Sequence, residues 1–390
     1  MKKMKRMMAL LLAMIMLLCG CGAKETPSVQ TPAKENSSVQ AAETTEPTTE
    51  PTTEPTTEPT TEPTEPEIFR NPMNGQIVDE PFTGRIHANI ISNMRDNLPH
   101  VGVNQADVVF ECYANMDNVV RCLALYSDIE SVDAIGSTRS TRPIFNDIAQ
   151  HYSLILSHAG GSGTALRDAN IREIEHFNIE AWEVTKNVKT SYRDKEYKRS
   201  LENSLFAIGS GLKEYAQFME MPMELERDYG FDFTEDGTPA DGEAADIINL
   251  TFVYRKAKKD TTMIYDAELD KYVWNQYGQE MVDQITGEKE GFTNVIIMNT
   301  ILSHNGIYHY ADFVAGGTGY YANGGKIIPI VWACDDETSA FRFMTNSAED
   351  LLIGQGNTYI AICTPDSPVT YESLTVEETV AVETEETAAE

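Results

Sequence analysis

Positive charge is what this chain lacks most: 30 Lys and Arg stand against 61 Asp and Glu, a formal net charge of −31 at pH 7. A basic face is the first requirement for gripping a phosphate backbone, so nucleic acid is excluded as a partner. Long apolar runs are also missing beyond the first 20 residues. Six cysteines and seven histidines are few, and they follow no metal-ligand spacing: His304 and His309 are five apart with no third ligand in register. Gly319 to Lys326 has the wrong glycine spacing for a phosphate-binding loop and no Ser or Thr after Lys326. Nothing in the sequence implies a cofactor.

The first segment sets the expected location. Lys2, Lys3, Lys5 and Arg6 precede a short apolar run from Met7 to Leu18. That run is too short to span a bilayer comfortably and has the form of an export signal. It closes on Leu18-Cys19-Gly20-Cys21, the lipobox pattern of a bacterial lipoprotein. Residues 1–20 are therefore expected to be a signal peptide, with Cys21 lipidated and holding the chain on the extracytoplasmic face of the cell membrane.

Residues 21–67 have almost no apolar side chain, and Thr44 to Pro63 repeats Thr-Thr-Glu-Pro five times. Such a segment cannot bury a core and reads as a disordered, semi-rigid tether. At roughly 3 Å per residue it reaches up to about 140 Å. Residues 372–390 carry seven acids and no base and read as an acidic disordered tail. With leader, tether and tail set aside, 44 acids and 24 bases remain, so the body itself is acidic. Its length favours two domains.

Residues 68–220 alternate strand and helix signals. Ile86 to Ser92, Ala106 to Tyr113, Val119 to Tyr126 and Ser153 to Ser157 suit strands; Ile144 to His151 after Pro143, Thr164 to Phe177 and Ser204 to Phe218 suit helices. This order predicts an α/β or α+β N-terminal domain. From 245 to 371 the pattern changes to short β-rich runs (Ile247 to Tyr254, Thr262 to Tyr265, Lys271 to Gln276, Thr293 to Ile301, Lys326 to Trp332, Phe341 to Met344, Thr358 to Thr364). A smaller β-rich C-terminal domain is expected there.

Two short motifs carry the chemistry. Arg139 and Arg142 flank a loop before a helix, and His158 ends the next strand, ahead of Gly160-Gly161-Ser162-Gly163. Guanidinium forks beside a helix start suit a carboxylate or phosphate. The competing reading makes Ser162 a helix cap, the glycines a tight turn and the arginines partners of surface acids. Gly160 to Thr164 misses the Gly-x-Ser-x-Gly nucleophile elbow by its last residue; a hydrolase using Ser162 would need His151, His176 or His304 as base. In the 106–126 hairpin, a three-residue loop at Met116-Asp117-Asn118 places Cys112 opposite Cys122, with Glu111 sharing a face with Arg121. A disulfide then becomes possible; a two-residue loop separates both pairs. Asp335-Asp336-Glu337 reads as a solvated turn ahead of a calcium site. Tyr308, Tyr310, Tyr320 and Tyr321 suit either a sugar groove or β-domain packing.

Asn71-Pro-Met-Asn-Gly75, Gln105-Ala-Asp-Val-Val-Phe-Glu111, Gly136-Ser-Thr-Arg-Ser-Thr-Arg142 and His158-Ala-Gly-Gly-Ser162 occur in the order seen in YerB-like lipoproteins, the bacterial domain family of unknown function numbered 3048. Gly317-Thr-Gly-Tyr-Tyr321, Gly325-Lys326 and Val331-Trp332 resemble its C-terminal domain. The resemblance implies a two-domain surface lipoprotein and supplies no reaction. Two departures stand out: Ser137-Thr138-Arg139-Ser140-Thr141-Arg142 replaces Pro-Val-Arg-Ser-Ala-Arg while keeping both arginines. Glu202-Asn203-Ser204-Leu205-Phe206 lacks the histidine of Pro-His-Asn-Leu-Tyr. The combined expectation is a lipid-anchored protein binding an anionic cell-wall polymer or envelope protein through Glu111, Arg121, Arg139, Arg142, His158 and Ser162. An envelope hydrolase or a structural surface lipoprotein are the alternatives.

Overall fold

A computed structural model describes residues 68–115, 119–195, 199–254 and 257–374. Cys21, the leader, the tether, most of the acidic tail and the hairpin tip at 116–118 lie outside the described residues.

The N-terminal region builds β1 (His87–Ser92), β2 (Val108–Asn115), β3 (Val119–Tyr126), α1 (Pro143–His151), β4 (Ile155–His158), α2 (Gly163–Ile171), β5 (His176–Asn178) and α3 (Gly209–Phe218). The C-terminal region adds β6 (Ile247–Tyr254), β7 (Ala257–Asp266), β8 (Lys271–Gln276), β9 (Asn294–Asn299), β10 (Tyr308–Asp312), β11 (Gly317–Asn323), β12 (Lys326–Ala333), β13 (Thr358–Cys363) and β14 (Val369–Glu372). The expected strands are thus present, and strand outweighs helix.

Two helices are shorter than their apolar spacing predicts. α2 ends at Ile171 because Glu173 turns left-handed (φ 57°), and His176–Asn178 then joins the sheet. α3 begins only at Gly209, since Leu205–Ala207 pairs with Ser191–Arg193 and with Ile135–Gly136.

The two regions differ in pattern but share a sheet. Among the described residues, thirteen strands form one mixed sheet whose central order is β12-β11-β9-β13-β2-β3-β1-β4-β5. β13, from the end of the chain, lies between β9 and β2 and runs parallel to both. A separate C-terminal sheet was the simpler expectation. β2 and β13 are mostly apolar and buried on both faces, and parallel pairing joins segments distant in sequence.

One face of this sheet, which includes Trp332, is covered by α1 and by Phe313 and Phe341. The other packs on α3 and on a second sheet ordered β8-β7-β6-β14. Along β2, Val109, Glu111 and Tyr113 face the second sheet, while Phe110 and Cys112 face α1.

The hairpin corrects the expected register. Asn115 pairs with Val119, which leaves three residues in the loop as predicted. A bulge between Tyr113 and Asn115 then shifts every later pair by one. Beyond it Glu111 faces Cys122 and Cys112 faces Arg121. One extra residue in one strand exchanges the faces of everything past it. Cys112 and Cys122 therefore point to opposite sides, and both are free and buried, as are Cys334 and Cys363. Glu111 and Arg121 are likewise on opposite faces.

Glu111 is instead the centre of the contact between the two sheets. It is 0% exposed. Its Oε1 accepts from Asn93 Nδ2 at 2.7 Å and from Lys259 Nζ at 2.5 Å. Its Oε2 accepts from Tyr359 OH at 2.5 Å and Thr261 Oγ1 at 3.3 Å. The Lys259 ammonium sits 5.5 to 5.8 Å from the ring centres of Phe252, Trp274 and Tyr277, a cation–π arrangement. Every lone pair and charge here has a partner, which is the condition under which a buried ion pair is tolerated. Glu111 is therefore a structural residue.

Two outcomes follow from this packing. Lys259→Met strands a buried carboxylate and should lower unfolding stability by about 3–5 kcal/mol, while Glu111→Gln/Lys259→Met recovers a measurable part of it in urea titrations. Reduction with dithiothreitol should leave the thermal unfolding midpoint unchanged; a downward shift would reveal a disulfide.

Candidate functional site: an arginine cluster at the ends of parallel strands

Residues 137–142 run between the end of β1 and the turn after β4. Ser92 N–H donates to Ser137 O at 3.0 Å and Arg139 N–H to Ile90 O at 2.7 Å. On the other side Ala159 N–H donates to Arg139 O at 3.0 Å and Thr141 N–H to Gly160 O at 3.1 Å. Ser140 Oγ adds a bond to Ala159 O at 2.7 Å. The two motifs singled out in the sequence, around Arg139 and around Gly160, are thus zipped together. Gly160 has φ +70°, and a Cβ on Gly161 would sit 2.8 Å from Leu166 and 2.9 Å from Thr141, so glycine is required at this approach.

The segment gathers three guanidinium groups. Arg121 reaches it from β3, 4% exposed, and donates to Ser140 O. Arg142 donates from Nε to Asn115 Oδ1 at 2.8 Å and from Nη1 to Thr141 O at 2.7 Å, over the Tyr308 ring. Arg139 donates to Asn203 Oδ1 at 2.9 Å and pairs with Glu202. Among the described residues Glu202 is the one carboxylate bonded to this group, and its side chain is 75% exposed. Burial, followed by the Arg142 and Arg139 charges, pushes the Arg121 guanidinium well below its usual pKa. Burial also lowers Arg142.

The remaining predicted site residues are adjacent but committed. Ser162 Oγ accepts the Ala165 N–H at 3.1 Å and caps α2, as the competing sequence reading has it. His158 Nε2 meets His176 Nδ1 at 3.0 Å. Burial, then the His176 charge, lowers the His158 pKa to about 3, so the imidazole is neutral. The suggested bases have other partners: His151 Nδ1 bonds Ser339 O at 2.7 Å and His304 Nδ1 bonds Gly306 O at 3.1 Å. Among the described residues, neither a nucleophile–base pair nor a contact to Glu111 forms around Ser162.

Other sequence candidates resolve simply. Asp336 Oδ1 accepts from Thr338 and Ser339 and organises an exposed turn. Tyr321 is buried, with its hydroxyl on Gly237 O and Asn294 Oδ1 at 3.0 Å. Tyr308 lies under Arg142. No helix among the described residues is long and apolar enough to cross a membrane.

Comparison with known families identifies the chain's two regions. Profiles described as "Protein of unknown function (DUF3048)" match residues 74–220 with the N-terminal domain and 249–360 with the C-terminal domain. The chain belongs to the DUF3048 family. The crystal structure of YerB protein from Bacillus subtilis aligns with this DUF3048 chain at a TM-score of 0.63. The alignment spans 77% of this chain and 99% of that one at 19% identity, a likeness of fold. Comparison with curated proteins found no match.

Asn115, His176, Tyr308 and Asn203 join this candidate site without a sequence signal that places them beside the arginines. Each arrives through a contact distant in sequence: the sequence offers His176 as a base for Ser162, Tyr308 as a groove or packing tyrosine and Glu202-Asn203 as a departure in pattern, but none as a neighbour of the arginines.

The buried His158 gives a pH signature. Its folded pKa lies below the ordinary 6.5, so its contribution to stability is full above pH 6.5 and is lost as pH falls towards about 3. Relative to His158→Gln, the wild type should lose up to about 1.4 kcal/mol per pH unit across that window. Urea midpoints at several pH values would show it; parallel curves for the two proteins would contradict it.

Proposed function

We propose that this DUF3048 chain is a lipid-anchored extracytoplasmic protein whose folded body binds an anionic group of the cell envelope at the Arg121–Arg139–Arg142 cluster. The observation that carries this reading is the buried Arg121 guanidinium: it lies beside two further arginines and, among the described residues, has no carboxylate bonded to it. Burying an uncompensated charge costs several kcal/mol. A bound carboxylate or phosphate would offset that cost with charge-assisted bonds.

Two further features favour an anion here. Arg142 occupies the N-cap position of α1, where the helix end is itself positive and a cation is unfavourable. The cluster also sits at the C-terminal ends of the parallel strands β1 and β4, the customary ligand position in parallel sheets. The rest of the body is strongly acidic, so selectivity for an anion has to be local. The lipobox at Cys21 and the Thr-Thr-Glu-Pro tether would hold the site away from the membrane and within reach of wall polymer.

The test is retention of the full chain on purified cell-wall material. Arg139→Ala/Arg142→Ala should weaken retention at least about tenfold, and salt should elute the wild type. Undiminished retention by the double variant would overturn the assignment.

A further inference from the structure

A cavity of about 490 Å³, lined by none of the three arginines, lies between two walls. One wall is the turn Asn71–Gly75 together with Gln105 and Asp107; the other is Gln355–Asn357 with Lys271 and Thr293. The sequence motifs Asn71-Pro-Met-Asn-Gly75 and Gln105-Ala-Asp107 thus meet here, and the arginine site uses neither.

The walls are fixed by their own bonds. Asp107 accepts from Asn74 Nδ2 at 2.5 Å and from the Ser127 N–H at 2.6 Å, and Asn71 Nδ2 donates to Ser127 Oγ at 2.7 Å. Gly356 N–H donates to Asn74 O at 2.8 Å and ties the two walls together. Asn357 Nδ2 bonds Gly291 O at 2.8 Å. On this frame the carboxamides of Gln76, Gln105 and Gln355 make no hydrogen bond among the described residues.

The chemistry of the lining selects a ligand class. The volume lies in the range of small-ligand sites, but such sites are ordinarily apolar, and here Ala106 is the one apolar side chain in the lining. Asp107 and Asp128 face a single cation, Lys271, so an anion is disfavoured. No cluster of three metal-ligating side chains occurs among the described residues. Free carboxamides donate and accept at once, which matches ligands carrying adjacent hydroxyls that do both. Peptide side chains would find no apolar anchor. We infer that this cavity binds a neutral saccharide segment, independently of the arginine cluster.

Titration calorimetry of the detergent-solubilised full chain with tetra-N-acetylchitotetraose, cellotetraose and maltotetraose tests the inference. At least one should bind saturably. Gln76→Ala/Gln105→Ala/Gln355→Ala should weaken that binding about tenfold or more, while Arg139→Ala/Arg142→Ala leaves it unchanged. Because the three carboxamides make no hydrogen bond among the described residues, an unaltered thermal midpoint is expected; Gln105→Ala alone, at an exposed position, should show the same direction of change in sugar binding. Failure of all three sugars to saturate, or equal binding by wild type and the triple variant, would overturn the inference without touching the arginine assignment.

Discussion

The ion pair between Glu111 and Lys259 is the constraint on which the rest of the structure depends. A carboxylate with no solvent exposure is acceptable only where its charge and lone pairs are all met, and one face of β2 supplies that setting. Lys259 and Thr261 come from β7, Tyr359 from β13 and Asn93 from the end of β1. Slipping β2 by one residue would carry Glu111 to the α1 side, away from all four. The register of the central hairpin is thereby fixed by electrostatics as well as by apolar alternation. It also decides where Arg121 goes: with Glu111 facing the second sheet, Arg121 must face α1, where Arg139 and Arg142 lie.

The charge of the chain is distributed by role. Exposed acids account for much of the excess, and several positive groups are held close to carboxylates, as in Arg172 with Asp147 and Asp168. The arginine cluster departs from this balance, because three guanidinium groups share one exposed glutamate. The amide-lined cavity departs in a different sense, presenting three glutamine carboxamides that make no hydrogen bond among the described residues. Both departures occur on backbone held by bonds between segments far apart in sequence, so neither needs a ligand to take shape.

Local pattern conveyed much of this fold. Val119–Tyr126 and Lys271–Gln276 are strands with the expected bounds, Pro143 opens its helix, and Ser162 caps the next. What stayed hidden was set by distance or by single residues. The left-handed Glu173 that stops α2 has no signature in apolar spacing. The bulge near Ala114 changes no residue type, yet it separates Cys112 from Cys122. The burial of Glu111 depends on Lys259, 148 positions away, and a glutamate in a strand ordinarily reads as a surface or ligand-binding group. The arginine motif was legible because its residues are close together; its supporting partners Asn115, Tyr308 and Asn203 were not.

The position of β13 carries a consequence for how the chain matures. Its residues 358 to 361 pair with residues 108 to 111, so one side of β2 stays open until that later segment is in place. Over that interval the partly folded chain presents an apolar strand margin able to recruit a foreign strand. Closure then demands contacts spanning some 250 residues, a topology associated with slow folding. Loss of β13 would leave a gap in the middle of the main sheet, so a product truncated before residue 358 should be cleared by proteases and not persist as a working fragment.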